Sequence, residues 1–418
     1  MLNPKTKQRE LAYIVKIDDI QPIEGSDNCE SAIVGGWHIM TRKGTFKAGD
    51  LAVYFEIDSK LPETDWSQFL AKKHYKVKTQ KYTFGGKGNF ISQGLLMAFE
   101  DFQDEYGAIP GWLLNINAQR VAGVDIVNTP LTAELGVKYC LEDDNKRKRN
   151  VDKYFRMKQR NAKLFAKSKS LRTLYNRKWG KKLLFLFLGN RHDAKASYWP
   201  SWVVKTDEER VQNLPQLFPP DNTEWFVTEK IDGTSTTFTM KRKGREKYEY
   251  YVCSRNVCFD KADKQCFYDT NVYTEMAEKY NMEYVLHALL YEYGDDLDFV
   301  TLQGETYGKG IQNRDYHMDY VDFKAFNLIF GHKNGYVERL NPREMTDWLD
   351  RFEIPCVPIL DEHFILPNTI DEMVAYAEGD SVVDGDYREG VVLRTYDGVN
   401  SFKAVSNFYL MSKYGNNQ

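Results

Sequence analysis

The sequence predicts an α+β fold in three parts: an N-terminal small β-barrel, a basic helical insertion, and a C-terminal region of antiparallel sheets flanked by helices. Three observations predict it. Short β-prone runs separated by glycine turns crowd the first hundred or so residues. A block from Asn145 to Lys195 holds 18 Lys and Arg against two acids, a net +16 in a chain of net charge −3. From Trp199 onward, apolar strand-like runs alternate with capped helix starts. The expected boundaries are residues 1–140, 141–198 and 199–418.

A chain of 418 residues holds two or three domains. Its hydrophobic share of 42% and charged share of 28% are those of a globular protein, which excludes a disordered chain. Met1 to Glu10 is charged and has no apolar signal core, and Leu183 to Leu188 is too short to span a bilayer. Cys253, Cys258 and Cys266 lie close together, but no Cys-x-x-Cys pair exists. A zinc site is therefore not expected, and the cysteines read as reduced thiols in a cytoplasmic protein.

In the first part, Leu11–Ile17, Ser31–Met40 and Leu51–Ile57 are β-like, joined by turns such as Lys43-Gly44 and Gly49-Asp50. Phe90–Phe99 follows the glycine turn 85–88, which lacks the Gly-Lys-Ser/Thr of a P-loop. Several short strands in such a length fit an OB-like barrel. In the second part, Leu164, Phe165, Leu171, Leu174 and Tyr175 share one face of a helix spanning Val151–Lys182. The +16 block leaves −19 on the rest of the chain, an electrostatic footprint for nucleic acid. The residues expected to grip phosphates are Lys146, Arg147, Lys148, Arg149, Arg156, Lys163 and Lys167. The competing reading is a solvated helical insertion docked on a domain.

The third part carries the chemistry. Trp225–Thr228 and Thr234–Met240 read as strands joined by a tight turn at Gly233. Lys230 and Asp232 lie between them, two apart and so on one face, beside a glycine that lets a ligand approach. Alone, Lys-x-Asp-Gly is also an ordinary hairpin. Downstream, Arg255 follows the strand Glu249–Cys253 and is placed to grip a phosphate. Glu305, in Gln303-Gly304-Glu305, closes the strand Phe299–Leu302 and is placed to accept ribose hydroxyls. Phe323, in the strand Val321–Asn327, offers a ring for a purine, although an aromatic on a strand is more often core. Glu389 precedes the buried strand Gly390–Arg394, and Lys403 sits mid-strand, where charge is costly unless it faces a ligand. Asn341-Pro342-Arg343-Glu344 and Thr369–Glu372 are capping boxes, and Val272–Tyr293 is a third helix candidate.

The ordered set Lys230, Arg255, Glu305, Phe323, Glu389, Lys403 resembles motifs I, Ia, III, IIIa, IV and V of the covalent nucleotidyltransferases. Gln303-Gly304-Glu305 with Gly308-x-Gly310-Ile311-Gln312, and Asp322-Phe323-Lys324-Ala325-Phe326, resemble the RNA-ligase-2-like group of ATP-dependent RNA ligases. Lys47–Phe55, Ser92–Leu96 and Trp202–Asn213 resemble the branch with an N-terminal OB-like module. The likeness covers about three quarters of the chain. Two departures stand out. Ser401 occupies the first of two motif V lysine positions, and the sequence stops fifteen residues after Lys403, so any OB-like module is the N-terminal one.

The resemblance implies an adenylyltransferase domain. Lys230 would attack the α-phosphorus of ATP, the adenylate would pass to an RNA 5′-phosphate, and a 3′-hydroxyl would expel AMP. Free lysine titrates at about 10.4, so Lys230 must become neutral, with Lys403 and a divalent ion as the neighbours to depress it. Lys403, Arg255 and Mg²⁺ or Mn²⁺ would stabilise the α-phosphate. Glu305 would fix the ribose, Phe323 would stack on adenine, Glu389 would contact metal, and Asp232 would orient the reacting groups. The implied partner is RNA, as a nicked duplex, a broken loop or an RNA–DNA hybrid, and the implied state is monomeric. A GTP-using capping enzyme and a non-catalytic RNA-binding protein remain as alternatives.

Overall fold

The first residues of the barrel fold as the alternation in Ala12–Lys16 dictates, with one face toward each side of a sheet. In the computed structural model, Ala12–Lys16 pairs antiparallel with Leu51–Phe55, which pairs with Leu95–Met97. A second three-stranded sheet runs Asp19–Pro22, Cys29–Val34, Trp37–Arg42. Tyr13, Val15, Ile17, Trp37, Ile39 and Tyr54 fill the space between them. The expected strands Ser31–Met40 and Phe90–Phe99 are each broken in two. Gly35 takes φ +55° in a turn, and Gly94 takes φ +99° where a Cβ would meet the Tyr54 ring at 2.4 Å. The hairpin turn at Gly35 and the bend at Gly94 both need a residue without a side chain.

The structure describes residues 1–3, 9–84, 87–103, 107–140, 164, 168–188, 199–244, 247–255, 257–259, 271–312 and 314–415. Residues 1–139 and 199–418 make one compact unit, and residues 140–198 another. In the second unit, helices Lys169–Tyr175 and Lys178–Leu188 pack Tyr175 and Leu184 together with Leu171 and Leu174. The expected single helix to Lys182 is thus two. Gly180 permits their close approach, since a Cβ there would meet the Leu174 carbonyl. Lys146, Arg147, Lys148, Arg149, Arg156, Lys163 and Lys167 lie outside the described residues. Among the described residues, no helix is long and apolar enough to cross a membrane.

The third part is two sheets. Six strands, in the order Cys258–Phe259, Tyr248–Ser254, Thr234–Arg242, Leu297–Gly308, Val321–His332, Val337–Arg339, carry helices Val272–Lys279, Met282–Tyr293 and Pro342–Leu349 on one face. Five strands run Glu209–Arg210, Ser401–Val405, Gly390–Thr395, Glu224–Lys230, Ile359–Ile365, covered by helix Ile370–Ala377. Both expected capping boxes form, at Asn341 and Thr369. The expected helix Val272–Tyr293 is interrupted at Asn281, which takes φ +45°. Glu224–Lys230 and Thr234–Arg242 are not the expected hairpin. They belong to different sheets, and residues 231–233 cross between them.

Candidate functional site

That crossing places Lys230. It ends a strand whose partner is Gly390, so the preceding residue, Glu389, comes alongside. The Lys230 Nζ donates to Glu389 Oε2 at 2.8 Å. Gly233 then passes so close to the neighbouring strand that a Cβ would stand 2.3 Å from the Thr306 carbonyl oxygen and 2.9 Å from Glu305 Cγ. The Asp232 backbone N–H donates to Tyr316 Oη at 2.6 Å, fixing the link on its other side. A Gly233→Ala variant is therefore expected to push the Lys230 link away from Glu305. Loss of nucleotide-dependent labelling in a variant that still unfolds cooperatively would be the signature; full labelling would refute the close-approach argument.

Three carboxylates surround the one ammonium. Burial pushes the Glu305 carboxyl up; Lys230 opposes this, and Glu389 and Asp232 add to it, taking it to about 8. Burial works to lower the Lys230 pKa, but Glu389, Glu305 and Asp232 outweigh it and hold the ammonium well above the usual lysine range. This corrects one expectation. Lys403 is not the group beside Lys230, and the protein alone keeps Lys230 charged rather than neutral. With Glu305 holding its proton at neutral pH, the other two carboxylates still outnumber the ammonium, a balance that fits a cation.

Lys403 lies in a second cluster. The segment Glu209–Arg210 runs parallel to Phe402–Lys403, which brings Asp207 to the lysine. The Lys403 Nζ donates to Asp207 Oδ1 at 2.7 Å, and Arg255 Nη2 donates to Asp207 Oδ2 at 2.5 Å. These cations hold the Asp207 carboxyl far below the usual carboxylate range against burial. Burial lowers the Lys403 pKa, and Asp207 opposes it. Arg255 is exposed, over the Tyr139 ring. Arg210 is buried, and its Nε and Nη1 have no hydrogen-bond partner among the described residues. Its guanidinium lies over the Trp37 ring and faces Asp58 at 3.8 Å.

Two placements differ from expectation. Glu305 lies inside the long strand Leu297–Gly308 rather than closing a short one. Phe323 is fully buried between Phe238 and Tyr280 in the core under the six-stranded sheet. Its ring is not open to a purine. Phe326, three residues on and so on the opposite face, is half-buried beside Ile231. Ser401, in place of a motif V lysine, donates to Glu208, which also faces Arg394 at 3.6 Å and Arg339 at 3.8 Å. Asp207, Glu208 and Arg210 carried no expectation of a role. Their signal was their place in the resembling stretch Trp202–Asn213, without any local motif of their own.

Two sheets meeting at a lysine, behind a module of short antiparallel strands, define a ligase-type catalytic domain joined to an OB-type module. Residues 223–405 match the RNA ligase family, and residues 11–98 match an OB-fold domain. The chain carries an RNA ligase domain behind an N-terminal OB-fold domain, and it is an enzyme of the RNA ligase type. Among solved structures it is similar to the RNA ligase of Naegleria gruberi with pyrophosphate, at 26% identity and TM-score 0.68, covering 98% of this chain and 100% of that one. A variant of that ligase with ATP and manganese is 25% identical with TM-score 0.65, covering 97% and 98%. Another, with AMP and manganese, is 25% identical with TM-score 0.66, covering 97% and 99%. No curated protein matches the chain.

Proposed function

We propose that the protein joins RNA 3′-hydroxyl and 5′-phosphate ends in an ATP-dependent reaction through an adenylate carried on Lys230. The observation that carries this reading is Lys230 at the junction of the two sheets, ringed by Glu389, Glu305 and Asp232. In the first step the Lys230 amine attacks the α-phosphorus of ATP, a P–N bond forms, and pyrophosphate leaves. The AMP then passes to an RNA 5′-phosphate, and a 3′-hydroxyl displaces it. Lys403 and Arg255 are the donors suited to the phosphates. Glu305 faces the nucleotide as a ribose acceptor. Glu389, with Glu305 and Asp232 beside it, suits Mg²⁺ or Mn²⁺, which would offset the carboxylates and let Lys230 lose its proton.

Incubation with α-labelled ATP and Mn²⁺, with α-labelled GTP in parallel, tests the reading. Label from ATP that resists denaturation supports it. Label from GTP alone would move the chain to capping chemistry, and no label would refute it.

The domain boundaries 1–140, 141–198 and 199–418, RNA repair or nick sealing as the setting, and a cytoplasmic monomer belong to the same proposal. The basic insertion is its RNA grip. Replacing Lys146, Arg147, Lys148 and Arg149 with Gln is expected to weaken RNA binding and to flatten its salt dependence, by up to about 0.7–0.9 in log–log slope per lost phosphate contact. Unchanged affinity and slope would place the RNA elsewhere.

A further inference from the structure

We propose that Asp207 is a positioning residue of this site: its carboxylate ties the Lys403 ammonium to the Arg255 guanidinium and holds both toward the nucleotide phosphates. The inference rests on the reading of Lys230 as the adenylate carrier.

The two cations come from distant places. Arg255 follows the strand Tyr248–Ser254, in the six-stranded sheet, and Lys403 sits in the five-stranded one. Nothing in strand pairing brings them together, and like charges this close repel. Asp207 reaches each with a separate oxygen, at 2.7 Å and 2.5 Å. Its own place is fixed from both sides. Thr206 Oγ1 shares a hydrogen bond with Ser235 Oγ at 2.7 Å, and Glu209–Arg210 pairs with Phe402–Lys403. Asp207 turns to Lys403, and the next residue, Glu208, turns to Ser401 and Arg394.

The charges facing Lys403 explain why a carboxylate is needed. Arg210, on the same segment, and Arg9, from the N-terminal module, both disfavour its charge, as does burial. Asp207 is the group that favours it. The strand across from Lys403 offers Val392, which carries no charge. Removing the Asp207 charge lets Lys403 lose its proton at lower pH, and a neutral amine no longer attracts a phosphate.

A plain tie between segments would produce stability and no pH signature, so the rate of Lys230 adenylylation against pH separates the two roles. The full chain, Asp207→Asn and Asp207→Glu would each be mixed with ATP and Mn²⁺ from about pH 6 to 10, with melting temperature measured alongside. Asp207→Asn is expected to move the alkaline fall in rate at least about one pH unit lower, a tenfold or greater loss at the alkaline end with far less at the acid end. Asp207→Glu, which keeps the charge but shifts it by one methylene, is expected to keep the alkaline limb and lower the maximum. A profile for Asp207→Asn that is unchanged, or lowered by one factor at every pH, overturns the proposal. Should Asp207→Asn not fold, Asp207→Glu decides, and an unaltered maximum overturns it. No label on the unsubstituted chain would refute the Lys230 reading itself, and this inference with it.

Discussion

Lys230→Met is expected to carry no label after incubation with α-labelled ATP and Mn²⁺, down to the level of a sample without protein. Methionine keeps the length and apolar stem of lysine but has no amine to form the P–N bond. The substitution also removes the ammonium that Glu389, Glu305 and Asp232 surround. Glu305, pushed up to about 8, already holds its proton at neutral pH and holds it more firmly without Lys230. The carboxyl groups therefore need not carry three charges side by side, so the fold is expected to survive, which a melting curve would check. Glu389→Gln makes the complementary test. It keeps a hydrogen-bond acceptor for Lys230 and removes the negative charge, with a loss in adenylylation on the order of 100-fold or more. Label on Lys230→Met would show that another residue is the nucleophile. An unchanged rate for Glu389→Gln would take Glu389 out of the reacting centre.

The proposed nucleophile and its downstream partners could be picked out in the sequence because covalent chemistry fixes residue types within a few positions of one another. Lys230, Asp232 and Gly233 are bound to one crossing, and Glu389 is read from the strand it precedes. What the sequence misassigned follows from what periodicity leaves open. Alternation along Val321–Asn327 says that Phe323 and Phe326 face opposite ways, but not which face meets helices and which meets the cleft. The strands around Gly233 read as a hairpin because apolar runs with a glycine between them look alike whether they share a sheet or pass between two. Gly35 and Gly94 were treated as strand interior, and the structure shows that a hairpin turn at the first and a bend at the second overrode the apolar run. Asp207 was the hardest to see. Its partners lie 48 and 196 residues away, and a short acidic stretch gives no local sign of which cation it will meet.

The N-terminal module and the catalytic domain are joined through Glu56, and here charge dominates. Its side chain is fully buried. Arg9 Nε donates to it at 2.6 Å, Tyr13 Oη at 3.1 Å and Asn213 Nδ2 at 3.3 Å, and the Met1 amine also donates to it. Asn213 in turn accepts from Trp37 Nε1 at 2.7 Å, so one carboxylate organises contacts from both domains. Burial alone would raise the Glu56 pKa, but Arg9, the Met1 amine and Arg210 override it and take it to about 2, against an ordinary 4.5. A depressed folded-state pKa contributes stability that is fully present above the unfolded value and is lost as pH falls through the folded one. The window is therefore about pH 4.5 down to about 2, and the shift corresponds to about 3 kcal/mol. Glu56→Gln is expected to cost a comparable amount, about 3–5 kcal/mol, because it leaves the Arg9 guanidinium buried without its main counter-charge. Denaturant midpoints would show the gap between the two proteins at full size at neutral pH and closing as pH drops below about 4.5. A gap independent of pH would mean that Gln costs stability through shape and hydrogen bonding, and that the charge of Glu56 does not hold the seam.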